Sequence, residues 1–208
     1  MNENCRKADA TFLSVNSLRT MKYPHANLAL PLLLITTLLT SCTAMTKREC
    51  LAGEWHSAGE EDAVRGRTKD DRYTAHAKAC SKHGIVADKT LYDSGYEQGL
   101  QSYCSHDNGV QTGRETGDYR GICPVASEKD FLYGYLEGLN LALDKLNYRY
   151  DKAQSDLSEA QYRHTRAETD TDRAKLDRFI QKQLTSIRWL NDERRKVRST
   201  ISRWRHQI

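Results

Sequence analysis

A chain of 208 residues, with a formal charge of +4, 38% apolar residues and a mean hydropathy of -0.77, has room for one domain and an accessory element. It is too polar to be a multi-span membrane protein. Three prolines and twelve glycines exclude a Pro-rich or Gly-rich low-complexity chain. Neither residue occurs after Gly138, so long helix is expected in the C-terminal third.

The first feature along the chain is an apolar run, Leu28–Leu39, preceded by Lys22 and followed by Leu39-Thr40-Ser41-Cys42. A membrane-spanning helix needs about 20 apolar residues, and this run is shorter. A basic residue, a short apolar stretch and small residues before a cleavage point form a secretory signal. Residues 1–41 are therefore read as a signal peptide, with 1–20 an upstream start that is not used if Met21 initiates. The tetrapeptide ending at Cys42 resembles a bacterial lipobox, which implies lipid on Cys42 and a lipidated linker over 42–49. Thr43 in the second mature position, rather than Asp, favours the outer membrane, facing the periplasm.

Four cysteines remain beyond Cys5 and Cys42: Cys50, Cys80, Cys104 and Cys123. An even number in an exported chain reads as disulfides, because the periplasm is oxidising. Of three connectivities, Cys50–Cys80 with Cys104–Cys123 closes two local loops without crossing. The alternative is a metal site: His76, Cys80 and His83 fall at i, i+4 and i+7 of a helix, with His106 as a fourth ligand. Thiolates are hard to keep free after export, so no metal and no other cofactor is expected.

Two segments nearly repeat each other. Tyr92-x-x-Gly95-Tyr96-x-x-Gly99-Leu100 and Phe131-x-x-Gly134-Tyr135-x-x-Gly138-Leu139 share one pattern, and Gly59 to Ala63 reads as a degenerate third copy. Glycine costs about 1 kcal/mol relative to alanine inside a helix. Gly95 with Gly99, and Gly134 with Gly138, thus mark helix faces against which another backbone packs closely. Between the repeats, Ser105–Cys123 is dense in Gly, Asn and Asp, with a turn signal at Asn108-Gly109. It predicts a disulfide-closed loop with a short hairpin over Gly109–Ile122. The resulting fold class is all-α: a disulfide-bonded helical domain over 50–145 with a glycine-rich loop, followed by a coiled-coil tail over 146–208.

Trp55, a Gly59/Asp62 turn, His76-x-x-x-Cys80, the first glycine segment through Tyr103-Cys104, Asn108-Gly109, Gly113, Gly117, Tyr119-x-Gly121-x-Cys123-Pro124 and the second glycine segment follow in this order. Across residues 48–145 the set resembles the bacterial lipoprotein family called domain of unknown function 2799. The family pattern has a glycine at or near Ala63 and a more aromatic residue than Glu60. It implies no activity and no catalytic residue.

From Leu139 the apolar spacing is 4-3-4-3 through Leu143, Leu146, Tyr150, Ala153, Leu157, Ala160, His164, Ala167, Thr171 and Ala174. A second set, Ile180, Leu184, Ile187, Leu190, Val197, Ile201, Trp204 and Ile208, is out of phase with it. The slip falls at Thr169-Asp170-Thr171-Asp172, whose residues suit an N-cap. It predicts a helical hairpin turning near Asp170; a stutter in one continuous rod is the alternative. From Arg188 to Arg205 seven basic residues stand against Asp192 and Glu193, a run suited to an anionic wall polymer or lipid. Export removes nucleic acid from the candidates.

No Gly-x-Ser-x-Gly or His-Glu-x-x-His motif is present, and every mature cysteine is assigned. The expectation is a non-enzymatic envelope lipoprotein that supports or recruits a protein partner. The competing classes are a wall or lipid hydrolase working with carboxylates alone, and a small-molecule or metal-binding module around His76, His83 and His106.

Overall fold

The structure, a computed structural model, describes residues 44–208. The signal segment and Cys42 lie outside the described residues. The described chain is helical throughout: α1 (Lys47–Ala52), α2 (Trp55–Val64), α3 (Lys69–Ser81), α4 (Lys89–Tyr103), α5 (His106–Arg114), α6 (Val125–Thr165) and α7 (Asp170–Arg205). Side-chain caps set several of the starts. Thr46 and Glu49 form a reciprocal capping box on α1, Asp88 accepts from the Leu91 amide, Ser105 from Asn108, and Thr169 from Asp172. Residues 45–49, expected in the linker, are thus built into the domain, and Met45 is buried.

Two helix pairs form the body, α2 with α4 and α5 with α6. In each pair the glycine faces meet with the helices running parallel. A Cβ on Gly59 would lie 2.8 Å from the Tyr96 amide nitrogen, and one on Gly99 would lie 2.8 Å from the Ala63 Cβ. In the second pair a Cβ on Gly113 would lie 2.7 Å from the Leu139 nitrogen, and one on Gly138 would lie 2.7 Å from the Arg114 nitrogen. Real Cβ atoms do not approach so closely, so the side-chain-free faces set the interhelix distance. Gly59 and Ala63 thus form a small-residue face of α2: Gly59 lies against the Tyr92 and Tyr96 backbone, Gly99 against Glu60 and Ala63, and Gly95 against His56. Ala63 is the residue that faces Gly99 in this pair.

Parallel neighbours cannot be joined by a tight turn. The first pair is connected by α3, and the second by the extended segment from Glu115 to Pro124. Cys104–Cys123 ties a residue just ahead of α5 to one just ahead of α6, while Cys50–Cys80 joins α1 to the last turn of α3. The second bridge therefore holds together the starts of a parallel pair, and the first fixes the connecting helix α3 to the helix that precedes α2.

The short hairpin expected over Gly109–Ile122 is not formed. His106–Arg114 is helix, with Asn108-Gly109 in its first turns. Local turn propensity is overridden because Gly109 and Gly113 supply the contact face for α6. The Gly59/Asp62 turn is likewise part of α2. The irregular stretch that remains begins at Thr116, whose left-handed φ of 55° ends the α5 region.

The tail is a hairpin: α6 ends at Thr165, and α7 begins at Asp170 and packs back along α6. The small residues Ala153 and Ala160 are buried in the seam, opposite a helix carrying buried Leu190, Val197, Ile201 and Trp204. Arg194 lies over the Tyr150 ring at 4.2 Å and donates to Asn147 at 2.7 Å. The returning end of α7 reaches the domain core, where the Trp204 ring sits 4.9 Å from Tyr119. Tyr119 in turn stacks near Phe131 at 4.6 Å, and Phe131 lies 5.3 Å from Tyr103.

Alanine for glycine at an open helical position stabilises by about 1 kcal/mol. At Gly113 and Gly138 the sign should reverse, with each alanine variant less stable by about 1–3 kcal/mol because two backbones are forced apart. Urea unfolding of the two variants measures this directly; unchanged or raised midpoints would contradict the packing role.

Candidate functional site

Fully buried charge is rare, and this domain holds a cluster of it. Asp62 faces inward from α2 at 2% exposure, and His76 from α3 at 4%. The Asp62 carboxylate accepts from Arg67 at 3.0 Å, Arg72 Nε at 2.9 Å, His76 Nε2 at 2.7 Å and the Tyr92 hydroxyl at 3.0 Å. The Met45 amide donates to His76 Nδ1 at 2.8 Å, which assigns the ring as the tautomer with its proton on Nε2. The cluster thus links four parts of the chain: the strap before α1, α2, α3 and α4. A cavity of about 250 Å³ lies beside it, bordered by Met45, Glu49, Glu61, Arg65, Arg72 and His76.

Burial pushes the Asp62 carboxyl up, but the His76 hydrogen bond and the Arg72 charge and hydrogen bond outweigh it and lower the pKa to about 2. Burial, with the neighbouring Asp62 charge and hydrogen bond, drives the Tyr92 phenol far above its usual range. Tyr92 therefore stays a donor, and Asp62 stays an acceptor for all four groups. Both nitrogens of His76 are engaged, one by Asp62 and one by the Met45 amide. The geometry is that of a latch which fastens the N-terminal strap to the helices.

The residues singled out in the sequence fall in different places. Cys80 is bonded to Cys50, His76 is turned to Asp62, and His83 lies exposed beyond the end of α3. These three do not form a ligand set, because the thiolate is consumed and the imidazole is committed. His106 lies apart from them, 3.8 Å from Glu137. Among the described residues, no group of three His, Cys, Asp or Glu side chains is placed to hold a metal ion. Gly95, Gly99, Gly134 and Gly138 lie at the interfaces between paired helices. The partners of His76 went unseen in the sequence. One signal was available: Asp62 stands between Gly59 and Ala63 on the face that must pack against α4, and a carboxylate there requires cations.

An all-α domain of two glycine-paired helix units, each closed by a disulfide, is the class the fold defines. Residues 54–140 match the family described as a protein of unknown function, DUF2799, and this match supports membership in that family. The matched span contains both glycine-faced pairs and the Asp62 cluster, and ends within α6. No curated protein and no solved structure matched the chain.

A carboxyl whose folded pKa lies below its unfolded value contributes stability above the unfolded value and loses it as pH falls through the folded one. Asp62 should contribute about 2 kcal/mol at neutral pH, lost as pH falls from 3.8 to about 2. Asp62→Asn should destabilise by about 3 kcal/mol at pH 7, since Arg67 and Arg72 lose their shared counter-ion. Unfolding measured from pH 7 to 2 should show the gap between parent and variant closing over the acid end alone. A gap independent of pH would remove the ionised carboxylate from the explanation.

Proposed function

We propose that this chain is a non-enzymatic envelope lipoprotein, anchored through Cys42 to the periplasmic face of the outer membrane, that supports or recruits a partner. The observation that carries the reading is the Leu39–Cys42 lipobox pattern placed just ahead of a strap that the domain itself fastens at Met45. Three residues of extended chain span about 10 Å, so the latch would hold the domain close to the lipid. A domain joined through a long flexible linker would have no such constraint. The two disulfides suit an oxidising compartment. No helix among the described residues is long and apolar enough to cross a membrane.

The hairpin supplies the contact surface in this reading. Arg188, Arg195, Arg198, Arg203 and Arg205 are exposed on α7 while Leu190, Val197, Ile201 and Trp204 face the core. Asp192 pairs with Arg195, and Glu193 with Lys196. The outward face thus keeps a basic excess suited to an anionic wall polymer or an acidic protein partner.

Cys42→Ala should leave the precursor uncleaved or release the protein from the membrane fraction, read by fractionation and labelling with a radioactive fatty acid. A variant that still fractionates with the outer membrane at the processed size would overturn the anchor. Crosslinking in intact cells, followed by identification of the captured species, then names the partner.

A further inference from the structure

The Met45–His76 bond differs from the others in the latch, because it needs an imidazole with no proton on Nδ1. The Met45 amide donates to that nitrogen at 2.8 Å, while Nε2 carries the proton that Asp62 accepts at 2.7 Å. A second ring proton would set Nδ1–H against the Met45 N–H, two donors with no acceptor between them. The bond to Asp62 would survive and become charge-assisted, since that carboxyl is lowered to about 2 and stays ionised. Protonation therefore removes the strap's bond and keeps the bond between α2 and α3.

The groups facing the ring come from every element around it. Carboxylates are Glu49 on α1, Glu54 at the start of α2, and Glu61 and Asp62 on α2. Guanidiniums are Arg65 and Arg67 between α2 and α3, and Arg72 on α3, whose Nη2 lies 3.4 Å from the ring Nε2. From α4 the Tyr92 ring lies 5.9 Å away. Four carboxylates against three guanidiniums leave one negative charge in excess, which a protonated ring cancels. The Thr46 amide holds the Glu49 carboxyl below its usual range, and burial holds the Tyr92 phenol far above its own. Imidazole is the side chain that changes charge between pH 8 and 5.

The geometry also sets how far an opened strap can go. The cavity of about 250 Å³ borders Ala44, Met45, Thr46 and Glu49 as well as His76, so the displaced amide and entering water have room. The Cys50–Cys80 bridge stops the opening at Cys50.

We infer that His76 is a proton-operated release for the N-terminal strap: below neutral pH its second ring proton expels the Met45 amide and frees residues 44–49, while the disulfide keeps the chain joined to the domain. The closed strap excludes a proton from Nδ1 and the open one accepts it, so falling pH favours the open form. The consequence at the membrane rests on the anchor reading of Cys42. On that reading the free tether grows from three residues (Cys42 to Met45) to eight (Cys42 to Cys50), or from about 10 Å to about 27 Å fully extended. The domain sits against the lipid at neutral pH and reaches away from it in acid.

The test follows amide hydrogen exchange from pH 8 to 5 in the purified full-length chain in nonionic detergent. Each rate is divided by that of an unstructured amide at the same pH, and the His76 ring state is read from its nitrogen chemical shifts. Protection of the Met45 amide, and of the Cys50 amide that donates to Thr46 in α1, should fall by about tenfold or more. The midpoint should match protonation of Nδ1, and the α6 amides should keep their protection. In His76→Asn, whose side-chain oxygen stands in for Nδ1 and takes up no proton, the pH dependence should vanish. If that variant does not fold, the parent's curves decide. Protection that stays level while the ring protonates overturns the release, as does a ring still neutral at pH 5. A loss shared by α6 also overturns it, because the whole domain would then be unfolding. These readings do not require lipid on Cys42, so failure of the release and failure of the anchor, which fractionation of Cys42→Ala reports, are told apart.

Discussion

Everything in this domain follows from backbone meeting backbone at two faces stripped of side chains. Glycine at these helical positions opposes helix formation locally, and it is repaid only when a second helix lies closer than any Cβ would allow. Because the paired helices are parallel, each pair needs a return path. The chain provides α3 in the first unit and an irregular segment in the second. Return paths are long loops to close, and a disulfide in each unit limits the freedom the unfolded chain would otherwise regain. Glycines and cysteines thus serve one constraint from two directions.

The two units obey the same geometry but fill it differently. Asp62 stands three residues after Gly59, where the second unit has Thr112 three residues after Gly109. Tyr92 opens the first glycine segment, where the second has Phe131. In the first unit the interior is ionic and hydrogen-bonded, fastened by Arg67, Arg72 and His76. In the second it is aromatic, with Phe131, Tyr119 and Trp204 in successive contact. An aromatic core tolerates small shifts in geometry, whereas a shared buried carboxylate fixes four directions at once. The unit nearest the strap is the one with directional bonds, which places specificity of assembly where the N-terminus enters.

Much of this was legible in the residues. The i, i+4 glycines announced close packing, the 4-3 spacing announced the hairpin helices, and Thr169-Asp170-Thr171-Asp172 marked the point where α7 is capped and begins. What failed to show was tertiary in origin. Asn108-Gly109 carries a turn signal at short range, and only the α6 face opposite it makes the segment helical. His76 reads naturally with Cys80 and His83 because the three share a helix face, while its actual partners, Asp62 and the Met45 amide, lie 14 and 31 residues away in sequence.

The hairpin depends on the domain as much as the domain on its glycines. A pair of helices alone covers only part of each apolar stripe, and Leu157, Leu176, Ile180, Leu184 and Ile187 remain half-exposed along the outer arm. Burial becomes complete toward the base, at Leu190, Val197 and Ile201, and ends with Trp204 against Tyr119. Stability therefore enters the arm from its base, through an aromatic contact with the segment that the Cys104–Cys123 bridge holds.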